Sequence, residues 1–140
     1  VLGDWYVTVL FWKPQLALFV NERTLLPVFV QFAPGVSLVP RFVEQLVQVL
    51  GALGIDPRFI DAERAQMADY QFAKTVNRSV VGTMTEFAFL AGVRRDHEQV
   101  DDLVAWSLWM AGTPCGPLRT GNRFPDLELA ALVSQLPGHE

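Results

Sequence analysis

The residues that could do chemistry concentrate in one stretch, KTVNRSVVGTM, running from Lys74 to Met84. It sets a lysine, an asparagine, an arginine, a serine and two threonines against an apolar run with a glycine inside it. Two readings of these side chains are open. In the first they are punctuation between a strand and a helix. Lys74 and Thr75 end the strand, Asn77 or Ser79 caps the free N–H groups of the helix, and Arg78 pairs with a carboxylate, for which Asp4 is the expected partner. In the second the donors converge on one point. A helix N-terminus already attracts anions. Lys74 and Arg78, with the short polar side chains of Asn77 and Ser79, would add charge-assisted bonds to a phosphate or carboxylate. The stretch has no G-x-x-x-x-G-K-[ST], so it is not a P-loop.

Other chemistry is thinly supplied. His97 and His139 are the only histidines and Cys115 is the only cysteine. No pair of these has ligand spacing, so neither a metal nor a cofactor is expected. Cys115 sits in TPCGP after a helix C-terminus, where the dipole disfavours a thiolate; it reads as a small residue in a tight loop. Ser79 lacks the G-x-S-x-G context of a hydrolase nucleophile. The carboxylate pairs Asp101-Asp102 and Glu63/Asp69 lack surroundings that would pull two pKa values apart, and Asp101-Asp102 is expected in a first helical turn. The balance is against an enzyme.

Several elements must position these residues. DWYVTVLFW (Asp4–Trp12) and LALFVN (Leu16–Asn21) read as a hairpin across Lys13-Pro14-Gln15. LLPVFVQFA (Leu25–Ala33) follows the polar turn Asn21–Thr24 as a third strand, and Pro27 makes it start late or lie at an edge. The period then changes. Phe42, Leu46, Val49, Leu50 and Leu53 mark a helix ended by Gly54. Asp56-Pro57 opens a second as N-cap and first position. DYQFAKT (69–75) alternates and is expected to be a fourth strand. A helix runs from about Ser79 to Arg95. Asp96 with Gln99 resembles a capping box opening another helix through Ala111, and a last one spans about Asp126–Gln135. Strands bunch early and helices late. The expected class is therefore α+β: an N-terminal antiparallel meander of three strands, one later strand and about five helices in a single domain over residues 1–140.

The 140 residues are 51% apolar and 19% charged, with a formal net charge of −4. This composition is globular with an oily surface, which points to a partner or a second subunit. The negative balance argues against a nucleic-acid coat. No apolar run is long enough to span a bilayer, so no membrane partner is expected. One cysteine and no visible signal peptide lead to the expectation of a cytoplasmic protein. DDLVAWSLWMA (101–111) is apolar nearly all round. Its Trp106 and Trp109 are candidates for an interface, against the plainer reading of a central core helix.

GDWY (Gly3–Tyr6), the Asn21-x-x-Thr24 turn, KTVNRSVVGTM and TPCGPL (Thr113–Leu118) together resemble a family of small bacterial proteins of unknown function. Its members look like G-D-W-Y near the start, K-T-x-N-R-S-V-x-G-S-M in the middle and P-C-x-P-L late. Thr83 stands where the family has Ser, which keeps the hydroxyl. The resemblance covers most of the chain, and because such members carry a segment before G-D-W-Y, a short N-terminal segment is expected to be missing here. It implies no activity and no cofactor. It does imply that Asp4, Trp5, Asn21, Thr24, Lys74, Asn77, Arg78 and Ser79 form one constellation. The functional expectation is a non-catalytic binding or regulatory module acting through a protein partner or a homodimer. The alternatives are an enzyme or ligand binder holding a small anion at Lys74–Ser79, and, more weakly, recognition of a nucleic-acid end with Trp5 or Tyr70 stacking on a base.

Overall fold

The computed structural model describes residues 1–32, 37–71, 73, 77–99, 101–118 and 123–136. The chain opens with three strands, β1 (Trp5–Leu10), β2 (Leu16–Asn21) and β3 (Pro27–Gln31). Five helices follow among the described residues: α1 (Leu38–Ala52), α2 (Pro57–Gln66), α3 (Arg78–Arg95), α4 (Leu103–Ala111) and α5 (Pro125–Ser134). The strands form one antiparallel sheet in the order β1-β2-β3. The α+β expectation holds.

The central strand explains the packing. All six residues of β2 are buried, as in a strand covered on both faces. Ala17 and Phe19 join Val28 and Val30 of β3 on one face, against Phe42, Leu46, Val49 and Leu50 of α1 and Phe59 and Ile60 of α2. Leu16, Leu18 and Val20 join Phe29 on the other, against Val80, Met84, Phe87 and Ala91 of α3 and Trp106 and Met110 of α4. The period of two in the strands sorts side chains between two helical layers. The sheet is covered by α1 and α2 on one face and by α3 on the other, while α4 lies along β3 and contributes to both cores.

Local signals set most helix ends. The Asp56 side chain accepts from the Arg58 N–H with Pro57 at the first position of α2, and Gly54 takes φ +75° after α1, a conformation that costs glycine little. Two expectations fail. Asp96 does not open a helix; it continues the last turn of α3, with its N–H bonded to the Gly92 carbonyl. The cap of α4 is Asp102, whose Oδ1 accepts from the Ala105 N–H at 3.1 Å. A capping carboxylate acts on the turn directly after it, and Asp102 adjoins the apolar run whereas Asp96 does not. Asp101 and Asp102 therefore precede the helix rather than forming its first turn. The expected fourth strand over 69–75 lies in part outside the described residues, which leave out Phe72, Lys74 and Thr75; the described Asp69, Tyr70, Gln71 and Ala73 carry no strand. Tyr70 is exposed.

The two edges of the sheet differ. Asn21 N–H donates to the Leu26 carbonyl and Phe32 N–H to that of Gln15, so by alternation the backbone groups of Pro27, Phe29 and Gln31 face away from β2. Pro27 has no N–H, and the Phe29 N–H donates to Ser107 Oγ of α4 at 2.9 Å. Ser107 Oγ in turn donates to the Leu103 carbonyl at 2.7 Å and is fully buried. On β1, Glu22 N–H donates to the Asp4 carbonyl, which turns the backbone groups of Trp5, Val7 and Val9 outward. Among the described residues nothing bonds to them.

Candidate functional site

The residues singled out by sequence fall into separate structural groups. Asn21 and Thr24 build a buried knot at the β2–β3 turn. Asn21 Oδ1 accepts from the Arg23 N–H, the Thr24 N–H and the Thr24 hydroxyl at 3.0–3.1 Å. Asn21 Nδ2 donates to the carbonyls of Leu2 and Asp4, and Thr24 Oγ1 accepts from the Leu26 N–H. Both side chains are almost wholly buried and committed to the backbone. The knot ties the segment before β1 to the turn, and Leu25 beside it takes φ +60°.

Asn77 is the N-cap of α3: its Oδ1 accepts from the N–H groups of Ser79 and Val80. Its Nδ2 donates to Glu22 Oε1 at 3.2 Å and its N–H to the Tyr6 hydroxyl at 3.0 Å. This stitches the start of α3 to β1 and to the same turn. Ser79 is exposed, and Lys74 lies outside the described residues. The expected Arg78–Asp4 pair is not formed. Both side chains are exposed and neither carboxylate nor guanidinium has a partner among the described residues. The Asp4 carbonyl, not its carboxylate, joins the network. Of the eight residues expected as one constellation, the structure links Asp4, Asn21 and Thr24 at the β2–β3 turn, ties Asn77 to the side chains of Tyr6 and Glu22, and leaves Arg78 exposed.

Trp106 and Trp109 separate as well. Trp106 is buried edge-on to Phe29, with centroids 6.2 Å apart and planes at 87°. Trp109 is 41% exposed. The Arg94 guanidinium lies 4.8 Å from the ring of Trp106 and 4.6 Å from that of Trp109, and its Nε donates to Glu98 at 3.0 Å. α4 is thus a core helix, its outer tryptophan covered in part by an arginine. Cys115 is buried, with its thiol donating to the Thr113 carbonyl at 3.4 Å. Burial, and then the nearby charge of Glu86, pushes its pKa up to about 11, so at neutral pH it is a thiol and not a nucleophile.

One feature outside these groups is a cleft of about 1110 Å³ beside β1. Trp5, Tyr6, Val7, Phe19, Phe42 and Met67 line it, together with the polar Asp4, Glu63 and Asp69 and the ring of Tyr70. Trp5 meets Phe42 edge-on at 4.8 Å, and Phe42 stacks on Phe19 at 4.0 Å. Trp5 Nε1 is buried without a hydrogen-bond partner among the described residues. Sequence reasoning missed the cleft because Phe42 and Met67 come from α1 and the end of α2. The signal that was visible is WYVTVL, an edge strand with no proline and no charge.

Residues 1–128 match the family described as a domain of unknown function, DUF6933. The chain belongs to this family. The match agrees with the resemblance to a family without a known activity. No curated protein and no solved structure matches the chain significantly. Among the described residues of this DUF6933 domain, no three His, Cys, Asp or Glu side chains gather as metal ligands, and no helix is long and apolar enough to cross a membrane.

Proposed function

We propose that this DUF6933 domain is a non-catalytic binding module that receives an extended segment of a protein partner along β1. The contrast between the two sheet edges carries the reading. Edge strands are sticky unless blunted by proline, charge or a cover. β3 is blunted by Pro27 and by the Ser107 hydroxyl. Among the described residues β1 has none of these devices, and its outward backbone groups lie next to an aromatic cleft. An added strand would gain main-chain hydrogen bonds from Trp5, Val7 and Val9 and place alternate side chains against Trp5 and Phe42.

The test is a photo-activatable phenylalanine at position 7 in the native host, compared with one at Arg58 on the exposed face of α2. Protein adducts are expected from position 7 only. Val9→Pro should abolish them without lowering the melting temperature, because the Val9 N–H serves no ladder bond. Equal adducts from both positions, or adducts that survive the proline, would remove the reading.

The unpaired Arg78 supports a second reading, an anion held at the start of α3. Against it, Asn77 already accepts from the Ser79 and Val80 N–H groups, and the Glu22 carboxylate lies 3.2 Å from Asn77 Nδ2. Saturable shifts of the Arg78 and Ser79 amide resonances on sulfate titration would establish it; shifts that track ionic strength alone would discard it.

A further inference from the structure

We propose that two copies of this chain pack antiparallel through the outer faces of α3. The inner face of that helix is accounted for by Val80, Thr83, Met84, Phe87 and Ala91. Its outer face carries apolar residues between charged ends. Phe89 is 69% exposed, with Val93 at 45% and Val81 at 39%. At 3.6 residues per turn, Arg78, Thr85, Phe89 and Asp96 fall within about 20° of one line, and Val81, Gly82, Gly92 and Val93 within about 60° of it. Between these charged ends, an outer face in water would ordinarily carry polar side chains in place of Val81, Phe89 and Val93.

Two glycines supply an independent observation. Gly82 and Gly92 sit inside α3 with ordinary backbone angles, and a side chain built at either would meet nothing within 4 Å. Within one chain, neither is required by a turn or by a close contact, and each weakens the helix. Glycine on an outer helical face is explained when another backbone approaches it closely.

The arrangement of the stripe identifies the occupant. It is palindromic about Phe87: Arg78 mirrors Asp96, Val81 mirrors Val93, Gly82 mirrors Gly92 and Thr85 mirrors Phe89. Two antiparallel copies of such a helix place valine at the level of valine and the large Phe89 at the level of the small Thr85. They also bring the unpaired Arg78 of one copy to Asp96 of the other at both ends. A two-fold interface requires this self-complementarity. Asp96 is available for the role, since its own contact with Arg95 is a loose 3.7 Å between exposed groups. One helix pair lies at the small end of stable interfaces, which begin near about 1,200 Å², so the dimer should be weak and concentration-dependent. The inference is independent of the β1 edge.

Sedimentation velocity of the full chain from low micromolar to near-millimolar concentration tests it. A monomer–dimer equilibrium is expected. Phe89→Arg should weaken it at least about tenfold, in the manner of an aromatic anchor. Arg78→Glu and Asp96→Arg should each weaken it, and combining them in one chain should restore it. In a Cys115→Ala background, V81C chains mixed with V93C chains should form a disulfide-linked pair faster than either alone. A monomer throughout the range overturns the proposal. So does a dimer indifferent to Phe89→Arg, or charge variants without mutual rescue.

Discussion

At the scale of single residues, the polar side chains that drew attention in sequence serve the backbone. Asn21 serves three donors and two carbonyls in a buried turn. Truncating it strands several of these, and each buried group left unpaired costs about 1–3 kcal/mol. We expect Asn21→Ala to lower stability by roughly 2–3 kcal/mol in urea denaturation, with the β2–β3 turn partly relaxing to recover the rest. Arg78 and Asp4 behave oppositely. Exposed and unpaired, each should change stability by less than about 0.5 kcal/mol on replacement by Ala, and the double variant should be the plain sum. Cys115 supplies a pH test. Its thiol pKa rises from 9.0 to about 11 on folding, so between these values the folded chain holds a proton that the unfolded chain has lost. Stability from this source is complete below pH 9 and is lost as pH rises through 11. Cys115→Ala should therefore show a shallower fall in melting temperature between pH 8.5 and 10.5 than the parent, under the conditions of that shift.

At the scale of elements, legibility followed how local the cause was. β2, the Asp56-Pro57 start of α2, the Asn77 cap and the Gly54 stop depend on neighbouring residues, and the sequence shows them plainly. What failed depended on tertiary choices. Either Asp96 or Asp102 could cap a helix by type, and only packing of the LVAWSLWMA run decides between them. Arg78 was expected beside Asp4 because a lone cation in a first helical turn is unfavourable, yet water is partner enough for an exposed guanidinium. The cleft joins residues from β1, β2, α1 and the end of α2, which no local pattern announces. Gly51, inside α1, is the element-level counterpart of the paired glycines in α3. A side chain there would meet nothing within 4 Å, so Gly51→Ala should raise stability by about 0.5–1 kcal/mol from helix propensity alone. Thermal or chemical denaturation reads this directly, and a loss instead would show that some other body approaches α1.

At the scale of the whole molecule, β2 couples the two helical layers, because its alternate residues anchor both. The layers should therefore unfold together. Leu18→Ala opens a cavity on the α3–α4 side only and should cost about 2–5 kcal/mol. A Trp5 probe on the α1 side should report the same lowered midpoint as a Trp106 probe, in chains whose other tryptophans are replaced by Phe; two midpoints would show independent layers. The blunted edge at β3 has a consequence of a different kind. In polymer chemistry, a unit with two reactive ends grows a chain, whereas a unit with one can only terminate it. Ser107 and Pro27 remove one end of this sheet from use. Whatever strand adds at β1, a second addition at the far side finds too few donors. If β1 receives a strand as proposed, the domain would be monofunctional with respect to strand pairing, and such an assembly would stop at two members instead of lengthening into a fibre. Ser107→Ala would leave the Phe29 N–H buried beneath α4 without an acceptor, so it should lower stability by about 1–3 kcal/mol in urea denaturation while thioflavin fluorescence during prolonged agitation stays flat, because α4 still covers that edge.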